Sequence, residues 1–290
     1  MTSEERKRAL AARNQLSKGD EDGSQIIEGY QLLDTLARDY REKPLLFCSV
    51  LREFIMLING HLRSPRIAVV QAALNSISLW SSICNDDLEG ISISLWQSLV
   101  DCCISSKRPI ATAAEQCMVT IVANCSHASS LLSTVLSYFY TASHASSRLV
   151  LMHCVGEAAR CWSLDYLSSK QADIVQLVLT GLRDRTGEVR EASRIVFCIL
   201  YCRFLPSHAD LASLDTLDDL HLHQALQLLL SPQQEASVNT AALNLLVADL
   251  QKYHQMLRDD PSLCRRPLRW PEAPRSLTPV KVRAPLPSSP

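Results

Sequence analysis

Glycine and aromatic side chains are scarce in this chain, with eight Gly in 290 residues and 6% Phe, Trp and Tyr. That composition fits poorly with strand-rich folds, which need Gly at their turns and aromatics on their sheets, and it tilts the expectation towards helices. Charge of one sign is also lacking: 29 Lys and Arg face 30 Asp and Glu. This excludes a globally basic nucleic-acid binder, and the 47% hydrophobic content excludes a chain too polar to fold. No Cys-x-x-Cys occurs among the eleven cysteines, whose number is odd and whose members, such as Cys117, Cys154 and Cys198, fall on apolar helical positions. They read as small buried hydrophobes in a reducing compartment, so a cytosolic protein is expected and the sequon at Asn124 is expected to be silent. No apolar run follows the charged N-terminus to make a signal peptide, and no stretch approaches the ~18 uninterrupted apolar residues of a membrane span. No membrane partner is expected.

What is present is a repeat. Small or apolar residues at positions 0, +3, +4 and +7 mark one helical face, and the pattern recurs along the chain. The sets are Ile26, Gly29, Tyr30, Leu33; Val70, Ala73, Leu74, Ile77; Ala114, Cys117, Met118, Ile121; Leu151, Cys154, Val155, Ala158; Val189, Ala192, Ser193, Val196; and Val238, Ala241, Ala242, Leu245. A charged, Ala-containing helix at about 3–18 precedes the first, and a second apolar-periodic segment precedes each of the others, at about 45–61, 91–105, 129–142, 168–182 and 217–230. Each unit is then a helical hairpin that cannot bury its own apolar face, so hairpins stack into an α-solenoid. The expected fold is all-α, about six HEAT-like hairpins over residues 1–257. Small residues on the marked faces are expected because the helices must approach closely. In the first unit the loop Gly19-Asp20-Glu21-Asp22-Gly23-Ser24 places Ser24 as an expected N-cap.

From 258 to 290 the composition changes. Residues 261–290 hold eight prolines and six cations (Arg265, Arg266, Arg269, Arg275, Lys281, Arg283) against Glu272 alone, leaving +5 on the tail and −6 on residues 1–260. Pro at this density cannot continue a helix, so a disordered or extended basic tail is expected. Thr278-Pro279 and Ser289-Pro290 are minimal proline-directed phosphorylation sites, and two phosphates would nearly cancel the tail's charge.

The stretch Leu182-Arg183-Asp184-Arg185-Thr186-Gly187-Glu188-Val189-Arg190 resembles the HEAT-repeat signature, with Asp184 five residues before Val189-Arg190. Its continuation from Ser193 to Phe204 resembles the fifth repeat of a CLASP-type TOG domain, and Leu62-Arg63-Ser64-Pro65-Arg66-Ile67-Ala68-Val69-Val70 is similar to the second repeat of that family, whose members include cytoplasmic CLASP and ciliary crescerin proteins. The resemblance covers nearly everything before the tail. It implies a TOG-like paddle whose intra-hairpin loops form one edge against tubulin or microtubules, with other microtubule-associated proteins as further partners and a cytoskeletal location at spindle or cilium. On these positions it implies Arg63, Arg66, Lys107, Arg108, Arg148, Arg183, Arg185 and Arg194 as tubulin-binding, and Asp184 and Arg190 as the ladder that ties neighbouring hairpins. Two departures stand out: the family's first loop often carries a Trp where this chain has Asp20-Glu21-Asp22, and Gln71 stands where related second repeats tend to have Arg. Free-dimer capture, lattice binding and a non-tubulin partner therefore stay open, as does a general HEAT scaffold. No Ser-x-Ile-Pro motif addresses end-binding proteins.

No chemistry is expected. His221 and His223 are two residues apart, on different faces of a helix, and have no Cys or carboxylate cluster beside them, so no metal is expected. There is no phosphate-cradling Gly loop, nucleophile elbow or paired-carboxylate motif, so neither an enzyme nor a cofactor is expected. Trp80, Trp96 and Trp162 read as core, since a base-stacking platform would interleave aromatics with cations.

Overall fold

The computed structural model describes residues 3–18, 23–125 and 129–204, with 248, 249, 252 and 255 beyond them. Its helices are α1 (Ser3–Leu16), α2 (Gly23–Asp39), α3 (Pro44–Leu51), α4 (Ile55–Leu62), α5 (Ile67–Cys84), α6 (Glu89–Cys103), α7 (Arg108–Asn124), α8 (Ser129–Thr141), α9 (Ala145–Cys161), α10 (Leu164–Ser169), α11 (Gln171–Leu182) and α12 (Gly187–Phe204). Two layers result. One is α2, α5, α7, α9 and α12 packed in succession, and the other is α1, α3–α4, α6, α8 and α10–α11, each against its own hairpin partner. Five of the expected hairpins lie in the described residues. The sixth, at 217–230 and Val238–Leu245, falls outside them, as do His221, His223 and the 258–290 tail.

All twenty marked residues of the first five repeats are buried. The need for small side chains is visible at the helix crossings. A methyl on Gly29 would stand 2.8 Å from Leu16 Cγ, and one on Gly181 would stand 2.1 Å from Ser193 Oγ and 2.6 Å from Met152 Cε. Gly181→Ala is therefore expected to destabilise the fold by about 1–3 kcal/mol through overpacking. A thermal unfolding midpoint equal to wild type would refute this account of the α11–α12 contact.

Three local differences separate the structure from the expectation. The 45–61 segment is broken by a short 3-10 turn at Arg52–Phe54, and 168–182 is split between α10 and α11. Ser24 lies inside the first turn of α2, which begins at Gly23, so it is not the cap. Hydropathy also runs higher than the residue-by-residue reading suggests: Pro44–Leu62 and Ile67–Cys103 each contain an 18-residue window of mean hydropathy 1.5, enough by length and composition to cross a bilayer. The second stretch is no single rod, because Asn85, with φ 48°, ends α5 and a 3-10 turn leads into α6. Both stretches supply core: Phe47, Ile58, Leu74, Trp80, Leu95 and Trp96 are fully buried.

The repeats are joined by side chains that reach back one unit to the carbonyls a helix end leaves unsatisfied. Cys102 Sγ donates to Leu62 O (3.3 Å), Cys125 Sγ to Asn85 O (3.2 Å) and Trp162 Nε1 to Val122 O (2.8 Å), each about forty residues away in sequence. Arg203 does the same twice, to Arg160 O and Trp162 O, both at 2.6 Å. At the opposite polarity Glu89 Oε1 accepts the first free N–H groups of α8, from Ser130 (2.7 Å) and Leu131 (3.1 Å). Of the nine cysteines whose side chains are described, eight are buried and all nine are free thiols. Burial pushes the Cys102 thiol up to about 11 and those of Cys117 and Cys125 to about 12, which keeps them protonated and inert.

Candidate functional site: the loop edge

The loops that enter α5, α7, α9 and α12 share one design. The preceding helix ends at Arg63, Ile104 and Arg183 in nearly the same conformation (φ −99°, −93° and −102°; ψ 3°, 5° and 4°). Three residues on from Arg63 and Ile104, Arg66 and Lys107 are the extended N-cap residues of α5 and α7, and His144 is that of α9. Between them a side chain turns the chain by accepting the N–H two residues later: Ser64 Oγ from Arg66 (3.2 Å), Ser105 Oγ from Lys107 (3.2 Å) and Asp184 Oδ1 from Thr186 (2.8 Å). The loop before α9 has Ala142 at that station and is closed by an arginine instead. Arg148 Nη1 donates to Ala142 O (3.1 Å) and Ser143 O (3.0 Å), and the equivalent Arg190 Nη1 donates to Asp184 O (2.7 Å).

Neighbouring loops are stapled together. Lys107 Nζ donates to Pro65 O at 2.6 Å. Arg148 forms a two-pronged pair with Asp184, Nε to Oδ2 at 2.6 Å and Nη2 to Oδ1 at 3.2 Å, with side chains only 12% and 9% exposed. Because the helices behind them are stacked in order, these contacts set the loops side by side. Arg63, Arg66, Lys107, Arg108, Arg183 and Arg185 are exposed there. Arg148 is not an exposed cation: its guanidinium is engaged by Asp184 and its own loop. Arg194 is part-buried and likewise engaged, Nε to Asp249 Oδ2 at 2.5 Å, linking α12 to the segment beyond. Asp184 does bond the preceding hairpin through Arg148, whereas Arg190 bonds its own loop.

Burial alone would raise the Asp184 carboxyl, but the hydrogen bonds from Arg148 and the Thr186 N–H outweigh it and hold it below the ordinary carboxylate range. A depressed folded value means that the stabilisation is present above the unfolded carboxyl pKa and is lost as pH falls through the folded one. Asp184→Asn is therefore expected to flatten the acid limb of the stability profile below about pH 4. Denaturant midpoints measured from pH 7 down to about 2 check this; an unchanged acid limb would remove Asp184 from the account.

A model of the CLASP N-terminal region matches residues 40–225. The chain belongs to the CLASP N-terminal family. Among solved structures, the MAST/Orbit N-terminal domain is similar in fold, with a TM-score of 0.52 at 16% identity over 83% of this chain and 96% of that one. A designed armadillo repeat protein is more loosely similar, with a TM-score of 0.41 at 13% identity over 84% of this chain and 98% of that one. No curated protein matches the sequence. The chain is thus a CLASP-type, TOG-like stack of HEAT hairpins, and a microtubule-associated partner is the kind the family points to.

In this CLASP-family chain, His144 also shapes the edge: it occupies the station of Arg66 and Lys107, and only the register of the N-caps reveals it. At the opposite end of the hairpins, Glu89 and Arg203 act across repeats from positions where sequence shows an ordinary charge. Among the described residues there is no cluster of His, Cys, Asp or Glu that would hold a metal.

Proposed function

We propose that this protein is a non-enzymatic tubulin- or microtubule-binding module, acting through the loop edge to organise microtubules or tune their dynamics from the cytoplasm, at spindle or cilium. The observation that carries the reading is electrostatic. Arg66 and Lys107 occupy the N-cap positions of α5 and α7 without a side-chain capping bond, and Arg108 opens α7. A cation at that end opposes the helix dipole, at a cost of about 0.3–1 kcal/mol, so helix stability does not account for it. Attraction to an acidic protein surface does, and the converging N-termini of stacked helices add to the same positive field. The basic tail at 258–290, outside the described residues, would add avidity, and other microtubule-associated proteins would supply further contacts.

The test uses Arg63, Arg108 and Arg185, which are exposed and lie outside the staples. The full chain carrying Arg63→Glu, Arg108→Glu and Arg185→Glu is expected to keep its melting temperature and to lose about tenfold or more in co-sedimentation with microtubules at low salt. Wild-type binding should weaken steeply across the salt series. A stable triple variant that pellets like wild type removes the edge from the mechanism. Wild-type chain that neither pellets nor co-elutes with free tubulin favours the general scaffold.

A further inference from the structure

Between the loops that enter α5 and α7 the surface is notched, with a volume of about 260 Å³. Its floor is apolar, made by Leu62, Val70, Cys102 and Ile110, each at most 5% exposed. Its rim is polar, with Arg63, Lys107 and Asp101. Asp101 Oδ1 already accepts a 2.7 Å hydrogen bond from Gln97, so two rim cations face one engaged carboxylate. The walls are fixed: Cys102 Sγ is bonded to Leu62 O, and Lys107 Nζ to Pro65 O.

An apolar floor inside a charged rim is the layout of an interface anchor pocket, where one large side chain is desolvated and polar groups around it exclude water. Size selects the anchor. A closed apolar cavity of about 150 Å³ suffices for benzene, so this open notch of about 260 Å³ has room to seat a phenyl or phenol ring against its floor. Charge selects the flanks, because Arg63 and Lys107 line the opening, Arg66 and Arg108 are exposed at the starts of α5 and α7 beside those loops, and together they favour acidic neighbours. We infer that the notch is a binding subsite for one aromatic side chain carried on an acidic protein segment. The inference deepens the tubulin reading and rests on it only for the identity of the partner.

Methyl NMR of the full chain, titrated with the peptide Ac-Glu-Phe-Glu-NH2, tests it without tubulin. Saturable shifts are expected at the Leu62, Val70 and Ile110 methyls, with none from Ac-Glu-Ala-Glu-NH2. Ser105→Phe, which fills the notch from its own wall, should abolish them; Ser105→Ala, which loses the same loop hydrogen bond and fills nothing, should retain them. Absence of shifts, or shifts that survive Ser105→Phe, overturns the subsite. Co-sedimentation of the same variants separates the two levels. Wild-type chain that fails to pellet with microtubules overturns the tubulin reading and leaves the peptide titration to decide the notch. If wild type pellets, Ser105→Phe should bind at least threefold more weakly than Ser105→Ala; equal binding overturns the notch's part in that interface.

Discussion

Glu157→Ala is expected to destabilise the fold by about 3–5 kcal/mol, because it strands a buried guanidinium. Glu157 is 1% and Arg160 8% exposed, both on α9, where every residue from 151 to 160 is buried. Arg160 Nε donates to Glu157 Oε2 at 3.1 Å, Nη2 pairs with Oε1, and the Cys161 thiol donates to Oε1 at 3.4 Å. Taking the carboxylate away removes the counter-ion that Arg160 has at a site only 8% exposed. Replacing both partners by apolar groups of similar size, Glu157→Leu with Arg160→Met, removes the desolvation cost along with the attraction and should be near neutral. Urea unfolding of wild type, both single variants and the double variant reads this directly, as shifts in midpoint at unchanged slope. A single variant costing less than about 1 kcal/mol would mean that Arg160 finds another partner or that water enters.

That pair also marks where sequence reading stops. An acid and a base three residues apart read as a solvated helix face, since the local pattern cannot tell that α9 is covered on its outer side as well. The repeat itself was legible for the opposite reason: burial of one face imposes the 3.6 period whatever the neighbours do, and the sets at Val70, Ala114, Leu151 and Val189 all lie in the core. Loop stations were legible as spacing, and the resemblance to CLASP-type TOG domains is what grouped Arg63, Arg66, Lys107 and Arg108 on them. Which cations stay available was not. Arg148 is indistinguishable from them in sequence, because its partner Asp184 is thirty-six residues away and meets it only after the hairpins stack. Arg194 has the same history with Asp249 across fifty-five residues. The notch is further from view still, since its floor consists of residues that sequence assigns to the core.

Trp80→Ala is expected to cost about 3–5 kcal/mol, since it empties the largest side chain from the junction of the first two repeats. The indole is fully buried; it stacks on Tyr30 with ring centroids 6.2 Å apart and meets Phe47 edge-on at 6.0 Å. Beyond Tyr30 the contact continues through a hydrogen-bonded chain: Tyr30 OH lies 2.9 Å from His61 Nδ1, and His61 Nε2 lies 3.1 Å from Leu16 O. A carbonyl only accepts, so Nε2 carries the proton and Nδ1 accepts from the tyrosine. One aromatic thus helps hold α1, α2, α3, α4 and α5 together. Trp80→Phe isolates its other role. Trp80 Nε1 donates to Asp34 Oδ1 at 2.9 Å, and burial raises the Asp34 carboxyl although this bond, one from Ser76 and the nearby Arg38 oppose the rise. Losing the indole donor should raise it further. A carboxyl raised in the folded state costs stability as pH climbs through its folded value, and that cost vanishes below the unfolded value, where both states hold the proton. The Trp80→Phe penalty should therefore be largest near pH 7 and shrink as pH falls through the raised folded values towards about 4. A penalty that stays constant over that range would mean packing alone sets it, and that the Asp34 bond contributes nothing.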